Sequence, residues 1–134
     1  MADKIIMESG KRKRAVAKAK IKEGKGRIII NNKPYENLPM LKKLAIKEVI
    51  ELTKEIVDFK FDIEVSVSGG GVSSQVEATR LAIAKGLVSF TKNDELKKKF
   101  LDYDRNLLVA DVRRKEPYKP GDSKARKKRQ KSYR

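Results

Sequence analysis

The chain has 134 residues, of which 39% are hydrophobic and 39% are charged, so it is long enough for one domain with a modest core. Its 34 Lys and Arg outnumber its 18 Asp and Glu, which gives a formal net charge of +16. Cysteine and histidine are absent, which excludes disulfide bonds, thiolate zinc sites and a histidine general base. No apolar run reaches the roughly 18 residues of a membrane span, and the apolar start of the chain is too short for a signal peptide. We therefore expect a cytosolic protein.

The positive charge is concentrated at the two ends of the chain. Residues 1–20 carry a net charge of +5, residues 21–112 only +2, and residues 113–134 carry +9. A balanced middle between basic ends favours a polyanionic partner, because the excess cations can follow a phosphate backbone. We predict a globular RNA-binding domain over residues 1–112 and an extended basic tail over residues 113–134.

The first predicted elements are two strands. Residues 15–21 alternate between small or apolar side chains and mainly lysines, which predicts a half-buried strand with Lys18 and Lys20 on the outer side. A glycine-rich turn at residues 23–26 and a β-branched run at residues 27–30 follow. We predict that the two strands form a hairpin.

A helix and a third strand are predicted next. Pro39 suits the first turn of a helix. Apolar residues at spacings of three and four predict the inner face of that helix: Leu41, Leu44, Ala45, Val49, Leu52 and Ile56. Residues 62–68 alternate again and predict a strand that ends at three consecutive glycines.

The helix after the glycines has the clearest sequence pattern. Ser74 and Glu77 have capping-box spacing, and Gly86 would allow close packing on the inner face. The predicted inner stripe consists of Val72, Val76, Thr79, Ile83, Leu87 and Phe90. Asn93 predicts the cap of a short third helix, and residues 107–110 predict a last strand. The order of elements indicates a single α+β domain with one sheet backed by helices.

The three glycines are the first candidate RNA-binding site. Gly69, Gly70 and Gly71 lie between a strand and a helix, where glycine permits positive φ and close backbone approach. Exposed amides at this turn, together with the helix N-terminus, could bind a phosphate. A tight turn without any ligand would have the same sequence.

The basic run near the N-terminus is the second candidate. Lys11, Arg12, Lys13 and Arg14 lead into the strand that carries Lys18 and Lys20, so the six side chains predict one cationic stripe that contacts RNA. A solvated patch or a nuclear-localisation signal is the alternative interpretation.

The tail is the third candidate. Two prolines exclude a continuous helix, and the basic residues repel one another. The residues predicted to bind RNA in this part of the chain are Arg113, Arg114, Lys124, Arg126, Lys127, Lys128 and Arg129. A tail that only keeps the protein soluble is the alternative. The chain ends with Ser132, Tyr133 and Arg134, whose hydroxyl, ring and guanidinium suit contacts with phosphates and bases.

Catalytic patterns are weak. The carboxylate pairs Asp58/Asp62 and Asp102/Asp104 are typical of surface and capping residues rather than of a metal site, and the serines have no histidine to activate them. We expect no enzymatic activity, no metal, no cofactor and no small-molecule substrate. Two rival hypotheses are a nonspecific DNA-compacting protein, which would bind duplex DNA as well as folded RNA, and an RNA-acting enzyme, which would show metal-dependent turnover.

Residues 69–87, GGGVSSQVEATRLAIAKGL, resemble the signature of the small-ribosomal-subunit protein nine family. The resemblance includes residues 10–17, GKRKRAVA, and the terminal Lys131-Ser132-Tyr133-Arg134, so it extends over nearly the whole chain. This ending resembles that of archaeal and eukaryotic members, because bacterial members carry a second basic residue where Tyr133 stands.

The resemblance implies the fold of the second domain of ribosomal protein five, with a left-handed βαβ crossover that goes against the usual rule. It implies a cytoplasmic, ribosome-bound protein in the head of the small subunit, on the 3′ major domain of the rRNA and beside other head proteins. The tail would reach the decoding centre, where Lys131, Ser132, Tyr133 and Arg134 would contact the peptidyl-site tRNA. Residues 11–14 and the tail lysines would bind rRNA.

Overall fold

The structure is a computed structural model that describes residues 4–114 and Pro117. The strands are β1 (Ile5–Arg12), β2 (Ala15–Glu23), β3 (Ile28–Ile30), β4 (Lys33–Pro34) and β5 (Phe61–Ser68). The helices are α1 (Met40–Lys54), α2 (Val72–Thr91) and α3 (Asp94–Tyr103), with short 3-10 turns at Tyr35–Asn37 and Arg105–Leu107. The predicted α+β class, with one sheet backed by helices, is confirmed.

The sheet is mixed and has the order β1-β2-β5-β3-β4. β2 is antiparallel to both β1 and β5, whereas β3 is parallel to β5 and is connected to it through α1. The predicted hairpin of β2 with β3 is wrong, because β5 lies between them. The carboxylate of Asp62 on β5 accepts hydrogen bonds from the amides of Lys25 and Arg27 at 3.0 and 3.1 Å, so the loop after β2 is bound to β5. The handedness of the β3–α1–β5 crossover stays a prediction.

Two strand predictions differ from the structure at the ends of the domain. β1 was not predicted, because its inner positions include Glu8, Gly10 and Arg12 and therefore show no apolar alternation. The strand predicted at residues 107–110 is wrong. The side chain of Asp104 accepts a hydrogen bond from the Asn106 amide at 2.9 Å, which begins a 3-10 turn there instead.

Helix α2 packs closely against the β1–β2 hairpin. The inner face of β2 consists of Ala15, Ala17, Ala19 and Ile21, all fully buried. A Cβ atom on Gly10 of β1 would lie 2.7 Å from the backbone nitrogen of Ala82 and would also overlap the carbonyl oxygen of Ala78. On α2, a Cβ atom at Gly86 would overlap the side chain of Ile21 from β2. This confirms the predicted close packing at Gly86.

The start of α2 differs from the prediction. The N-cap is Gly71, and no side chain caps the first turn, so the predicted capping box is wrong. Because the helix begins at Val72, Ser74 falls at its third position and is buried against the domain. Glu77 forms an ion pair with Arg12 instead of reaching back to the cap. In the predicted stripe, Thr79, Ile83, Leu87 and Phe90 are buried, whereas Val72 is 55% exposed.

The predicted inner face of α1 is also partly wrong. The buried residues are Ile46, Val49, Ile50 and Thr53, whereas Leu41 is 83% exposed. Apolar side chains occupy most of the circumference of this helix, so their spacing does not fix which side faces the core.

The predictions for the residues at the N-termini of α1 and α3 agree better with the structure. Pro39 is the N-cap of α1, one position before the predicted first turn. Asn93 caps α3 as predicted, because its side chain accepts a hydrogen bond from the Glu95 amide at 2.9 Å.

We expect Gly10→Ala to destabilise the domain strongly, because the added methyl group meets helix backbone that cannot move aside. Overpacking of this kind costs about 1–3 kcal/mol or more. Gly71→Ala is the matched control, since Gly71 has φ −94° at the N-cap and no atom within 4 Å of an added Cβ. Thermal unfolding of both variants tests this packing, and equal melting temperatures would contradict it.

Candidate nucleic-acid interface

Three segments that are distant in sequence converge at one end of the sheet. The turn between β1 and β2, the turn between β5 and α2, and the chain after the last 3-10 turn surround an open cleft of about 650 Å³. We call it the basic cleft. Its lining residues are Arg12, Lys13, Arg14, Gly70, Gly71, Ser74, Arg113 and Arg114. The structure thus brings together residues from all three predicted RNA-binding segments.

Glycine is required at two positions of the β5–α2 turn. Gly69 and Gly70 have φ values of +77° and +63°. Residues other than glycine adopt such backbone conformations only at a cost in free energy. A Cβ on Gly69 would lie 2.6 Å from the carbonyl oxygen of Arg14, and one on Gly70 would lie 2.9 Å from the amide nitrogen of Ala15. The two turns are therefore in direct backbone contact. Gly71 needs neither a positive φ nor the missing Cβ.

The tips of the two turns provide groups that can bind anions. Lys13 and Arg14 are exposed, and Lys13 has φ +53°, an uncommon conformation for a lysine. The first α2 backbone hydrogen bond runs from the Gln75 amide to the Gly71 carbonyl, so the amides before Gln75 lie at the uncapped N-terminus of the helix beside the cleft. Uncapped helix amides and nearby cations both favour a bound phosphate.

Two of the predicted RNA-binding arginines are held by carboxylates. Nε of Arg12 lies 2.7 Å from Oε2 of Glu77, and the same guanidinium forms an ion pair with Asp111. Asp111 also accepts hydrogen bonds from the side chain of Arg113 at 2.7 and 2.9 Å and from its amide at 3.0 Å. The Arg12 side chain is only 16% exposed, whereas that of Arg113 is 77% exposed. Arg12 therefore holds the site together, and Arg113 remains open to a partner.

Hydrogen bonds to Arg113 lower the pKa of Asp111 far below the usual range of an aspartate. The side-chain bond has the largest effect, followed by the bond from the Arg113 amide, and the positive charges of Arg113 and Arg12 add to it. The Arg114 guanidinium donates to the carbonyl oxygens of Asp111 and Arg113 at 2.9 and 2.8 Å. Asp111 therefore fixes the position of Arg113 and Arg114 beside the cleft. The sequence reasoning missed this residue, although a lone acid in a basic stretch was a usable signal.

The remaining predicted lysines of the domain lie on the open face of the sheet, away from the helices. Lys18 is exposed between Ser9 of β1 and Ser66 of β5, the residues paired with it in the neighbouring strands. Lys20 has Glu64 as its partner on β5, and Lys11 is exposed near the cleft end of β1. The predicted cationic stripe is thus divided between the cleft and this face.

The other predicted positions fall into two groups. The tail residues lie outside the described residues: Lys124, Arg126, Lys127, Lys128, Arg129, Lys131, Ser132, Tyr133 and Arg134. Two of the carboxylates considered as metal ligands have structural contacts, since Asp62 binds the loop after β2 and Asp104 begins a 3-10 turn. Within residues 4–114, no helix is both long and apolar enough to cross a membrane.

The sequence of the chain is similar to those of known proteins. The sequence model of the family "Ribosomal protein S9/S16" matches residues 10–134. The chain is 48% identical to the small ribosomal subunit protein uS9 of Methanococcus maripaludis strain C7 over 134 residues, which covers 98% of this chain and 99% of that protein. Proteins of the same name from strains C5 and DSM 14266 give the same identity and coverage. The chain belongs to the ribosomal protein S9/S16 family.

Membership of the S9/S16 family confirms the resemblance stated from the glycine-rich signature. Proteins of this family are structural constituents of the ribosome and not enzymes, so the expectation that the chain has no catalytic role is confirmed.

We expect the contribution of Asp111 to stability to depend on pH. Because its pKa is lower in the folded state, the stabilisation is present above the ordinary aspartate pKa of about 4 and is lost as the pH falls below that value. The melting temperature of Asp111→Asn should therefore lie below that of the unmodified S9/S16 chain near neutral pH, and the difference should shrink in acid. Asp102→Asn is the control, because Asp102 is exposed and makes no ion pair with the residues described. A difference that stays constant with pH would contradict the role of the Asp111 carboxylate.

Proposed function

We propose that the chain is a structural component of the head of the small ribosomal subunit, in cytoplasmic ribosomes. Its basic cleft and open-face lysines bind the 3′ major domain of the rRNA, and its tail contacts the peptidyl-site tRNA during translation. The proposal that the chain binds rRNA rests on one observation, the convergence of the three predicted segments on one cleft at the N-terminus of α2. Family membership supports the assignment to the ribosome.

The cleft has the chemistry needed for a phosphate backbone. Lys13, Arg14 and Arg113 present charges that reach solvent, and the α2 N-terminus adds backbone amides. Arginine can bind phosphate with two parallel hydrogen bonds, whereas lysine acts as a point charge. Contacts of this kind fix the register of a protein on a nucleic acid without reading its bases. Folded rRNA offers many phosphates in a defined arrangement, which a rigid cleft can recognise by shape.

The open face supplies a second set of contacts. The Ser9 and Ser66 hydroxyls beside Lys18 can donate to phosphates or pair with ribose 2′-hydroxyl groups. Lys20 stands next to Glu64, which reduces the local positive charge. We therefore expect Lys18 to contribute more than Lys20 to the free energy of rRNA binding. Lys11 extends the same contact surface toward the cleft.

The tail is assigned by the family resemblance and by its starting point. Because Asp111 binds Arg113, the first two residues of the predicted tail, Arg113 and Arg114, lie at the cleft, on the side proposed to face rRNA. The basic residues from Lys124 to Arg129 would then follow rRNA phosphates. Lys131, Ser132, Tyr133 and Arg134 would contact the anticodon stem of the peptidyl-site tRNA.

We expect Lys13→Gly to weaken rRNA binding without lowering stability. Glycine adopts φ +53° readily, so the free energy of unfolding should stay unchanged or rise by up to about 1 kcal/mol. Loss of one phosphate contact should reduce the slope of log affinity against log salt concentration by about 1. A titration with a 3′ major-domain rRNA fragment at several salt concentrations measures the slope, and thermal unfolding measures the stability.

Lys92→Gly is the matched control for this experiment. Lys92 is also exposed and has φ +52°, but it is the C-cap of α2, at the end of the helix opposite the cleft. This variant should gain the same stability and keep the original rRNA affinity and salt slope. Equal loss of affinity in both variants would mean that the cleft has no special role.

Equal affinity of the unmodified chain for duplex DNA and the rRNA fragment would favour the DNA-compacting alternative.

Deletion of residues 132–134 should leave the melting temperature and incorporation into subunits nearly unchanged, because three polar terminal residues add no apolar burial to the domain. The tRNA in the peptidyl site should dissociate faster, since charged hydrogen bonds to phosphate contribute about 1.5–3 kcal/mol each before redundancy with rRNA contacts. The measurement compares tRNA dissociation rates from subunits that carry the full-length or the truncated chain. Identical rates in fully assembled subunits would restrict the tail to rRNA, and failure of assembly would show that its role is structural.

A further inference from the structure

A groove between α1 and the start of α2 exposes apolar side chains. Met40 is 75% exposed, Leu41 83% and Val72 55%. Pro39, Ala45 and Val76 complete the apolar lining of this groove, whose volume is about 530 Å³. We call it the α1–α2 groove. It lies on the helical layer and not on the open face of the sheet.

The exposure of these residues is not a by-product of core packing. The core uses a different side of α1, formed by Ile46, Val49 and Ile50, so Met40 and Leu41 are not needed there. Large apolar side chains grouped on a surface commonly mark a binding site, whereas isolated ones need no explanation. The second apolar flank of α1 therefore has no function within the described domain.

The lining of the groove does not suit RNA. Arg80 is the one arginine in the lining of the groove, and it donates a hydrogen bond to Glu48 at 2.9 Å. Glu77, which also lines the groove, is paired with Arg12 at 2.7 Å. An apolar surface offers phosphates no hydrogen bonds, and the guanidinium that lines the groove is already occupied by a carboxylate.

Two further occupants are disfavoured by the sequence. The tail, residues 113–134, contains no Val, Ile, Leu, Met or Phe, so it has no large aliphatic side chain for the groove. A second copy of the chain would bring together two molecules with a net charge of +16 each, which opposes self-association. A different protein is left as the occupant.

We propose that the α1–α2 groove binds an apolar segment that carries carboxylates, from a neighbouring protein of the small ribosomal subunit. This inference rests on the proposed function, which places the chain among other ribosomal proteins. Lys42 lines the groove and Lys43 follows it, and no carboxylate within the described range lies at ion-pair distance from either lysine. Acidic residues on the partner would pair with them. Val72 directly follows Gly71 of the basic cleft, so the partner would lie beside the bound rRNA.

A single cysteine gives a specific test, since the chain contains none of its own. Leu41→Cys is labelled with a benzophenone maleimide, assembled as the full chain into small subunits and irradiated. We expect one protein–protein crosslink to another small-subunit protein, at a peptide with apolar and acidic residues. A crosslink to rRNA or to a second copy would overturn the proposal, and so would a label that forms no crosslink.

Two controls separate this result from a general failure of assembly. Lys98→Cys on the exposed side of α3 should not give the same crosslink, and an identical product would remove the specificity claimed for the groove.

Leu41→Asp should lower the content of the crosslinked protein in assembled subunits by about tenfold, whereas Leu41→Met should not. Affinity of the isolated Leu41→Asp chain for the rRNA fragment should be unchanged. Loss of that affinity would place the groove in the rRNA interface, whereas failure of the unmodified chain to bind rRNA would contradict the proposed function itself.

Discussion

The arrangement of the whole domain depends on the close contact between α2 and the β1–β2 hairpin. The helix can lie directly on the strands only because Gly10, Gly86 and the alanines of β2 keep side-chain volume small at the contact. This closeness also sets the distance between the two turns at the end of the sheet, where Gly69 and Gly70 touch the backbone of residues 14 and 15. The packing of the core and the shape of the cleft therefore have the same physical origin, because interiors at this density transmit small changes in volume.

The domain divides its cationic side chains into two sets with different tasks. Arg12 and Arg80 are paired with carboxylates and hold separate elements together, across β1 and α2 and across α1 and α2 respectively. Lys13 and Arg14 are exposed at the tip of a turn and are open to a polyanion. A count of charges does not reveal this division, since all four residues contribute equally to the formal net charge. Burial distinguishes a structural arginine from a binding one, since Arg113 is also paired with a carboxylate but its side chain is 77% exposed.

Sequence periodicity correctly predicted the elements whose two faces differ in polarity. It did not predict the packing of elements whose faces are alike in polarity. β2 and β5 alternate clearly because their outer faces carry lysines, serines and acids. β1 has polar or small residues on its inner side, and α1 has apolar residues on two flanks, so neither pattern determined the packing. The order of strands depends on distant contacts, such as the side chain of Asn31, which exchanges two hydrogen bonds with the Val67 backbone. The members of the cleft were predictable from residue type, but their convergence was not, because it depends on that same strand order.

The N-terminal turn of α2 connects the two proposed interfaces. Gly71 lines the basic cleft and Val72, the next residue, lines the α1–α2 groove. Glu77, five residues further on, also borders the groove and binds Arg12, which in turn binds Asp111, two residues before the predicted tail. Helices are stiff over this length, so rRNA in the cleft and a protein in the groove would each restrict the same first turn and the same ion pairs. The two proposed interfaces therefore share the first turn of α2 and the ion pairs that Arg12 forms with Glu77 and Asp111.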